Sequence, residues 1–314
     1  MGDAAPRGLG WLAIARLGLV QASIGAIVML ATSLLNRVMV VEYALAAAIP
    51  AGLVAWHYAV QLARPLWGHG SDRGRRRTPW IVGGMAVLAG GALLAVRATI
   101  LLPDSPLPGA ALAILAFTMI GAGVGAAGTS MLALLASGVA PTRRAAAAAV
   151  TWTMMIAGIV IAAGVAGALL DPFTEARLTG VASGVALSAF ALACLAIWRL
   201  EPRAMAKFDT RDRGEAPAFA EALREIMQET GARRFTVLIF VSMLAYSMQD
   251  LILEPFAGLV FGMTPGESTS LSGLQHSGVL LGMILAGVGG SAFAGRLPVD
   301  LRVWIVAGCA GSGL

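Results

Sequence analysis

Long apolar stretches recur along the whole chain, and they constrain its fold more than any other feature. Of 314 residues, 58% are hydrophobic and only 12% are charged. A bilayer core about 30 Å thick requires roughly 20 apolar residues per helix. Eight such spans and the start of a ninth lie at about residues 11–36, 44–67, 79–102, 109–138, 145–170, 179–198, 235–261, 270–294 and from 303. The sequence therefore predicts an all-α polytopic membrane protein.

The basic residues mark one side of this predicted membrane protein. The formal net charge is +5, and all 22 Lys and Arg residues except Arg37, Arg97 and Arg177 lie at the N-terminus, in the even-numbered loops or at the adjoining span ends. Cytoplasmic loops retain Lys and Arg, so we expect the N-terminus and the even-numbered loops to be cytoplasmic. The positive charge is thus explained by topology. The composition excludes a disordered chain, a secreted disulfide scaffold and a nucleic-acid-binding domain.

A polar stretch divides the chain into three predicted regions. Residues 1–198 form a six-span bundle, residues 199–234 a cytoplasmic linker, and residues 235–314 a second bundle with spans 7 and 8 and part of span 9. Within the linker, apolar residues recur at helical spacing after Pro217, which predicts an amphipathic helix on the membrane surface.

Spans 2 and 8 indicate a weak internal repeat. When the sequence is slid by 219 residues, His57 falls on His276, Gly68 on Gly287 and Gly70 on Gly289. Repeated bundles are typical of transporters. We expect spans 7 to 9 to be a second copy of spans 1 to 3, and the chain to be a fragment of a longer protein.

A glycine-rich basic motif stands between spans 2 and 3, with the sequence GHGSDRGRRR at residues 68–77. It resembles the signature of the major facilitator superfamily, which implies a twelve-helix fold of which about 8–9 transmembrane helices are present here. Two roles remain open, a cytoplasmic latch between conformations and a basic run that only holds topology. The matching residues are Gly68, Asp72, Arg73, Arg76 and Arg77, while Arg75 replaces the usual second glycine.

Spans 4 and 5 depart from the pattern of proton-coupled members of that superfamily. Span 4 contains no Arg, and span 5 lacks the glycine-proline pattern of antiporters. Both departures argue against ordinary proton-coupled transport. We interpret the glycines of these spans as sites of close helix packing: Gly121, Gly125, Gly128, Gly158, Gly164 and Gly167.

Ionisable residues inside the spans are costly and are therefore candidates for function. Span 7 carries Gln249, Asp250 and Glu254, and the two acids are four residues apart on one helix face. Arg37 and Glu42 end span 1 at the same predicted depth, in the periplasmic half. Spans 1 and 7 face each other in the major facilitator fold, so we hypothesise an ion pair between Arg37 and either Asp250 or Glu254. It would serve as a periplasmic gate or as a static bridge.

His57 and His276 occupy matching positions of spans 2 and 8. Three interpretations remain open: hydrogen bonding to neighbouring helices, a proton relay, and axial ligation of the magnesium of a tetrapyrrole. The sequence contains no nucleophile constellation, nucleotide-binding loop or zinc-type Cys/His cluster. We therefore predict that the chain is not an enzyme.

Four segments, residues 16–42, 57–84, 207–226 and 240–283, resemble the PucC-type proteins of purple phototrophic bacteria, also called the BCH2 branch of the major facilitator superfamily. The resemblance implies a multi-pass protein of the bacterial inner, photosynthetic membrane that assembles light-harvesting antenna complexes and handles or delivers bacteriochlorophyll. Its expected partners are the lipid bilayer, antenna polypeptides and bacteriochlorophyll. The alternative is a major facilitator secondary transporter of a tetrapyrrole or another small hydrophobic molecule.

Overall fold

All regular secondary structure in the described residues is helical. The computed structural model describes residues 9–73, 76–201 and 228–292, with isolated positions at 224, 306, 308, 310 and 311. The predicted linker helix and span 9 lie outside the described residues. The helices are α1 (Trp11–Glu42), α2 (Ala48–Gln61), α3 (Arg64–Arg73), α4 (Thr78–Leu101), α5 (Pro106–Gly138), α6 (Arg144–Leu170), α7 (Glu175–Ile197), α8 (Thr230–Phe261) and α9 (Pro265–Ala292).

Six helices of the described part are long and apolar enough to cross a membrane: α1, α4, α5, α6, α7 and α8. They correspond to the predicted spans 1, 3, 4, 5, 6 and 7. The expectation of an all-helical, multi-pass membrane protein is thus confirmed. The full count of eight or nine spans and the major facilitator arrangement stay predictions.

Span 2 is built from two helices, and the second helix continues beyond the predicted end of the span near residue 67. Helix α2 ends at Gln61, and α3 continues from Arg64 to Arg73, so the first part of the glycine-rich motif is helical rather than a loop. Pro65 causes the break because it has no N–H to donate to the carbonyl of Gln61. The chain tightens there into short turns, in which the Leu62 N–H donates to the Ala59 carbonyl.

Span 8 corresponds to α9, whose first half is unusually polar for a helix between apolar neighbours. Ser268, Thr269, Ser272 and His276 are all buried. They recur at helical spacing, so they line one face of α9. This face lowers the hydropathy of the span, and it packs inside the protein.

Helix α1 lies at the centre of the packing. Its first part, Trp11–Met29, contacts α6 and α7, and its second half contacts α8 and α9. Helix α9 also packs extensively against α6, and α4 packs along α5. The N-terminal six-span region therefore meets spans 7 and 8 at the second half of α1 and along α6.

Glycines permit several of these close approaches. A β-carbon at Gly158 in α6 would overlap the backbone of Ala22 in α1, and one at Gly121 in α5 would lie 2.7 Å from the His57 carbonyl. The packing interpretation is confirmed for these two positions. It is wrong for Gly128 and Gly164, where an added β-carbon would meet nothing within 4 Å.

We expect Gly158→Ala to destabilise the protein and Gly164→Ala to leave its stability nearly unchanged. The two substitutions add the same methyl group to the same helix, but only the first forces α1 and α6 apart. Overpacking of this kind costs about 1–3 kcal/mol. Thermal unfolding of both variants in detergent would measure the difference. Equal melting temperatures would contradict the close α1–α6 packing.

Candidate functional site

Two π-helical turns shape the second half of α1. They span Leu30–Leu34 and Val38–Glu42 and flank Arg37. A π turn holds one more residue than an α-helical turn, and such turns are frequent at functional sites. Between them, Asn36 is buried and its Nδ2 donates to the Leu251 carbonyl of α8 at 2.7 Å. Sequence periodicity gives no sign of either π turn.

Glu254 is the centre of a buried polar junction between α1, α8 and α9. Glu254 is 0% exposed. Ser33 of α1 donates from Oγ to Glu254 Oε1 at 2.5 Å, and Thr269 of α9 donates from Oγ1 to Oε2 at 3.2 Å. Ser272 Oγ lies 3.3 Å from Ser33 Oγ. Hydroxyls from two other helices thus replace the water that the carboxylate has lost.

Arg37 forms the outer edge of this junction, but its partner differs from the hypothesised one. Its side chain is 1% exposed, and Nη1 donates to Glu42 Oε1 at 2.5 Å. Nη2 donates to the Met263 carbonyl, in the turn between α8 and α9, at 2.6 Å. The hypothesis of an ion pair with Asp250 or Glu254 is therefore wrong. The physical reason is the second π turn, because residues five apart become neighbours on a π turn.

Asp250 lies beside His276 instead. His276 Nε2 is 3.5 Å from Asp250 Oδ1, and His276 Nδ1 contacts the Ser272 carbonyl at 2.9 Å. A carbonyl can only accept, so Nδ1 carries the proton, and Nε2 of the neutral ring has a free lone pair. The Tyr246 ring stands edge-on to the imidazole at 6.4 Å. Gln249, which we grouped with these residues, is exposed and lies outside the junction.

His57 differs from His276 in what its Nε2 contacts. Arg64 Nη2 donates to Gln61 Oε1, which fixes the orientation of the Gln61 amide. The Gln61 NH2 group therefore donates to His57 Nε2, at 2.8 Å. Neutral His57 then carries its proton on Nδ1, which is buried without a hydrogen-bond partner. The two histidines match in sequence and in burial, yet only His276 keeps an uncommitted lone pair.

The glycine-rich motif is anchored through Arg77. Its buried guanidinium donates from Nη1 to the Ala133 carbonyl and to Ser137 Oγ of α5, at 3.1 and 2.6 Å. The backbone N–H groups of Arg77 and Thr78 donate to the Glu201 carboxylate. An acid at a helix N-terminus is favourable, so Glu201 stabilises the start of α4. Glu201 is not predicted from the sequence, because its only signal is a single acid directly after span 6.

The other motif residues contribute less to the described contacts. A β-carbon at Gly68 would lie 3.5 Å from Thr129 of α5, so this glycine is in ordinary contact distance. Arg76 is exposed. The side chains of Asp72 and Arg73 lie outside the described residues, and the latch role of the motif stays a prediction.

Further contacts, also missed from sequence, hold the predicted periplasmic end. Thr264 Oγ1 donates to Asp171 Oδ2 at 2.6 Å, and the Gly266 N–H donates to Asp171 Oδ1 at 3.1 Å, which ties the end of α6 to the start of α9. Tyr43 donates to Glu175 Oε1 at 2.9 Å. Burial, and then this hydrogen bond, raise the pKa of Tyr43 above its ordinary value, so the phenol stays neutral.

Among the described residues, no group of three or more His, Cys, Asp or Glu side chains could hold a metal ion. The site instead places Nε2 of His276, which receives no hydrogen bond, 3.5 Å from Asp250 Oδ1.

Comparisons with known proteins place these residues in a family context. A family model described as "PUCC protein" matches residues 34–314. The chain is 51% identical over 308 residues to the "Bacteriochlorophyll synthase 44.5 kDa chain" of Rhodobacter capsulatus. The aligned region covers 98% of this chain and 70% of that protein. The chain is also 34% identical over 297 residues to "Protein PucC" of Cereibacter sphaeroides. That aligned region covers 90% of this chain and 64% of that protein. The chain thus spans about two thirds of the length of these relatives.

A double-mutant cycle would separate the observed Arg37 pair from the hypothesised one. We expect Arg37→Met and Glu42→Gln to be coupled by about 1–3 kcal/mol, because each removes the same buried interaction. Arg37→Met and Asp250→Asn should be additive within about 0.5 kcal/mol. Denaturant unfolding of the singles and doubles in bicelles would measure both couplings. A larger coupling to Asp250 than to Glu42 would contradict the structure.

Proposed function

Because the chain belongs to the PUCC protein family, we propose that it is an integral membrane assembly factor for bacterial light-harvesting antenna complexes that handles or delivers bacteriochlorophyll. One relative is named as a bacteriochlorophyll synthase chain, and two others are named PucC. The six candidate membrane helices support a role inside the bilayer. Antenna polypeptides and bacteriochlorophyll are the proposed partners.

The geometry of His276 is the observation that carries this proposal. Bacteriochlorophyll contains magnesium, which accepts a neutral imidazole nitrogen as an axial ligand. His276 fits this role because Nε2 has its lone pair free, while the Nδ1–H bond to the Ser272 carbonyl fixes the ring in one tautomer. His57 does not fit, since the Gln61 amide occupies its Nε2. We therefore narrow the two sequence-based candidates to His276.

Asp250 would control access to that nitrogen. Its side chain is 25% exposed, whereas that of His276 is 3% exposed, and its Oδ1 lies 3.5 Å from Nε2. A guest reaches His276 only when the Asp250 side chain rotates away. The buried hydroxyl and carboxylate groups behind His276 hold α9 in place during that exchange.

We propose a non-catalytic role, although the name of one relative includes the word synthase. His276 bonds the backbone carbonyl of Ser272 rather than its hydroxyl, so the described geometry gives no activated serine at this imidazole. The hydroxyls of Ser33 and Thr269 are committed to Glu254. These groups bind helices together.

A second candidate is a major facilitator secondary transporter of a tetrapyrrole or another small hydrophobic molecule. Contacts of α1 with α8 and of α6 with α9 support it, because they join spans 1 with 7 and 5 with 8 across the two bundles of that fold. The π turns of α1 and the break between α2 and α3 also support it, since discontinuous helices commonly surround transporter sites.

Purification from a phototrophic bacterium in mild detergent tests the assembly proposal. We expect bacteriochlorophyll absorbance and antenna polypeptides to co-purify with the chain. His276→Leu should remove most of the pigment because the axial ligand is lost, whereas His57→Leu should retain it. Thermal unfolding of both variants controls for folding. A colourless wild-type protein that is stabilised by an added tetrapyrrole would favour the transporter, and unchanged pigment in His276→Leu would remove this residue from the proposal.

A further inference from the structure

Two arginines and a tryptophan meet at the predicted cytoplasmic end of α7. Arg16 of α1 donates from Nε to the Ala196 carbonyl at 2.8 Å and from Nη2 to the Trp198 carbonyl. Cations are favourable at the end of a helix, where carbonyl groups lack partners. Arg199 follows Trp198 directly. A surface cleft, which we call the arginine cleft, is lined by Arg16, Leu195, Trp198 and Arg199.

Arg199 occupies a backbone position at which glycine is the usual residue. Its φ is 52°, in the left-handed region, and it is the first residue after the C-cap Trp198. Helices commonly have glycine there, because a β-carbon makes this conformation unfavourable. The Arg199 side chain is exposed, and it forms no hydrogen bond or ion pair within the described part of the chain. The chain thus places an unpaired charge where the backbone alone would favour glycine.

Among the described residues, no acid forms an ion pair with the arginine cleft. Glu201 is the acid nearest to Arg199 in sequence, but its carboxylate accepts hydrogen bonds from the backbone N–H groups of Arg77 and Thr78. Arg16 uses Nε and Nη2 for the two carbonyls of α7, and a guanidinium has five N–H donors. Both arginines therefore retain donors and positive charge for an anion from outside the protein.

An apolar groove continues from the arginine cleft toward the middle of the membrane. It lies between α1, α6 and α7, which contact one another. On α1, Leu19 of the groove comes three residues after Arg16. On α7, Leu192 of the groove comes three residues before Leu195. Residues three apart are neighbours on one helix face, so the cleft and the groove form one continuous surface.

The described lining of this groove presents apolar surface. Its two serines donate to carbonyls of their own helices, Ser23 to Leu19 at 2.9 Å and Ser188 to Val185 at 3.1 Å. Their hydroxyls are thus already satisfied, and the other described lining residues are apolar. Such a surface suits an acyl chain and offers no partner to a polar guest.

The combined length of the cleft and the groove fits one membrane leaflet. An α-helix advances about 1.5 Å per residue, so Val185, at the inner end of the groove on α7, lies roughly 20 Å from Arg199. Half of a bilayer with its headgroups is about 20–22 Å thick. A transmembrane helix could also fill an apolar groove, but it would extend across both leaflets and would bring no anion to the arginines.

We propose that the arginine cleft and the groove bind one anionic phospholipid of the predicted cytoplasmic leaflet. The phosphate lies between Arg16 and Arg199, Trp198 lies at the level of the headgroup, and an acyl chain lies in the groove. A guanidinium binds phosphate through charge-assisted hydrogen bonds, and indole rings favour the membrane interface. This site shares no residue with the His276 site and goes beyond the proposed pigment-handling function, so each can fail without the other.

Native mass spectrometry of the purified 314-residue chain tests this proposal. The chain is titrated with phosphatidylglycerol and with phosphatidylcholine that carry identical acyl chains. Both lipids contain a phosphate, but only phosphatidylglycerol has a net negative charge. We expect the first phosphatidylglycerol to bind about tenfold more tightly than the first phosphatidylcholine, in line with one charge-assisted contact. Arg199→Gln should remove most of this preference and leave phosphatidylcholine binding unchanged.

Arg233→Gln is the matched control, because Arg233 is an exposed arginine at the predicted cytoplasmic start of α8. It makes the same change of charge outside the cleft and should keep the preference. Arg199→Gly should also lose the preference, yet its melting temperature without lipid should equal or exceed that of the native chain, because glycine adopts a positive φ readily. An arginine with only a structural role would not give this combination.

Ser188→Phe tests the groove by placing a ring in it, and Leu187→Phe, at an exposed position outside the groove, is its control. We expect Ser188→Phe to weaken both lipids several-fold and Leu187→Phe to weaken neither. If Ser188→Phe does not fold in a thermal-unfolding control, the two Arg199 variants still decide the outcome.

Three results would overturn the inference. The first is equal binding of the two lipids by the native chain, or a preference that both Arg199 variants retain. The second is an equal loss of preference in Arg233→Gln and Arg199→Gln, which would indicate general attraction to basic residues. The third is lipid binding that a folded Ser188→Phe variant leaves unchanged. If antenna polypeptides then co-purify less with Ser188→Phe, the groove belongs to a transmembrane helix.

Discussion

The burial of one carboxylate, Glu254, sets the conditions that the surrounding helices must meet. Inside a membrane no water is available to solvate a charged or polar group, so each one needs a partner within the protein. Ser33 and Thr269 supply hydroxyl donors to Glu254 from α1 and α9. Helix α9 is therefore polar along one face, and it can span the bilayer only if that face is turned inward against α1, α6 and α8. The same requirement fixes the contact between the N-terminal region and spans 7 and 8.

Much of this architecture follows from the sequence, because helices in a bilayer require long apolar segments that are easily recognised. The pairing of Arg37 could not be predicted in the same way. On an α-helix, residues 37 and 42 point in different directions, and only the π turn brings them together. The break between α2 and α3 did have a sequence signal, Pro65. A span prediction based on hydropathy ignores it, because the residues on both sides are apolar. Glu201 and Asp171 act across long sequence separations, which local patterns do not reveal.

The difference between the two histidines shows what geometry adds to a family assignment. The weak internal repeat treats His57 and His276 as equivalent, and both are buried. Both neutral rings carry their proton on Nδ1, but the Nε2 lone pair of His57 accepts a hydrogen bond from Gln61, whereas Nε2 of His276 receives none. The assembly proposal thereby depends on one imidazole, with Asp250 in front of it. The contacts of Arg37 and Asp171 hold the α8–α9 turn and the start of α9 against α1 and the end of α6.

The central claim is that the polar junction of α1, α8 and α9 serves a guest rather than only joining helices. Hydrogen–deuterium exchange of the chain in nanodiscs, with and without bacteriochlorophyll, tests this claim most directly. The account predicts slower exchange on guest binding in peptides that cover residues 245–280, where Asp250 and His276 lie, and no change in α7, which packs against Trp11–Met29 of α1 and against α4. Unaltered exchange across residues 245–280 at saturating pigment, or protection confined to α7, would contradict it.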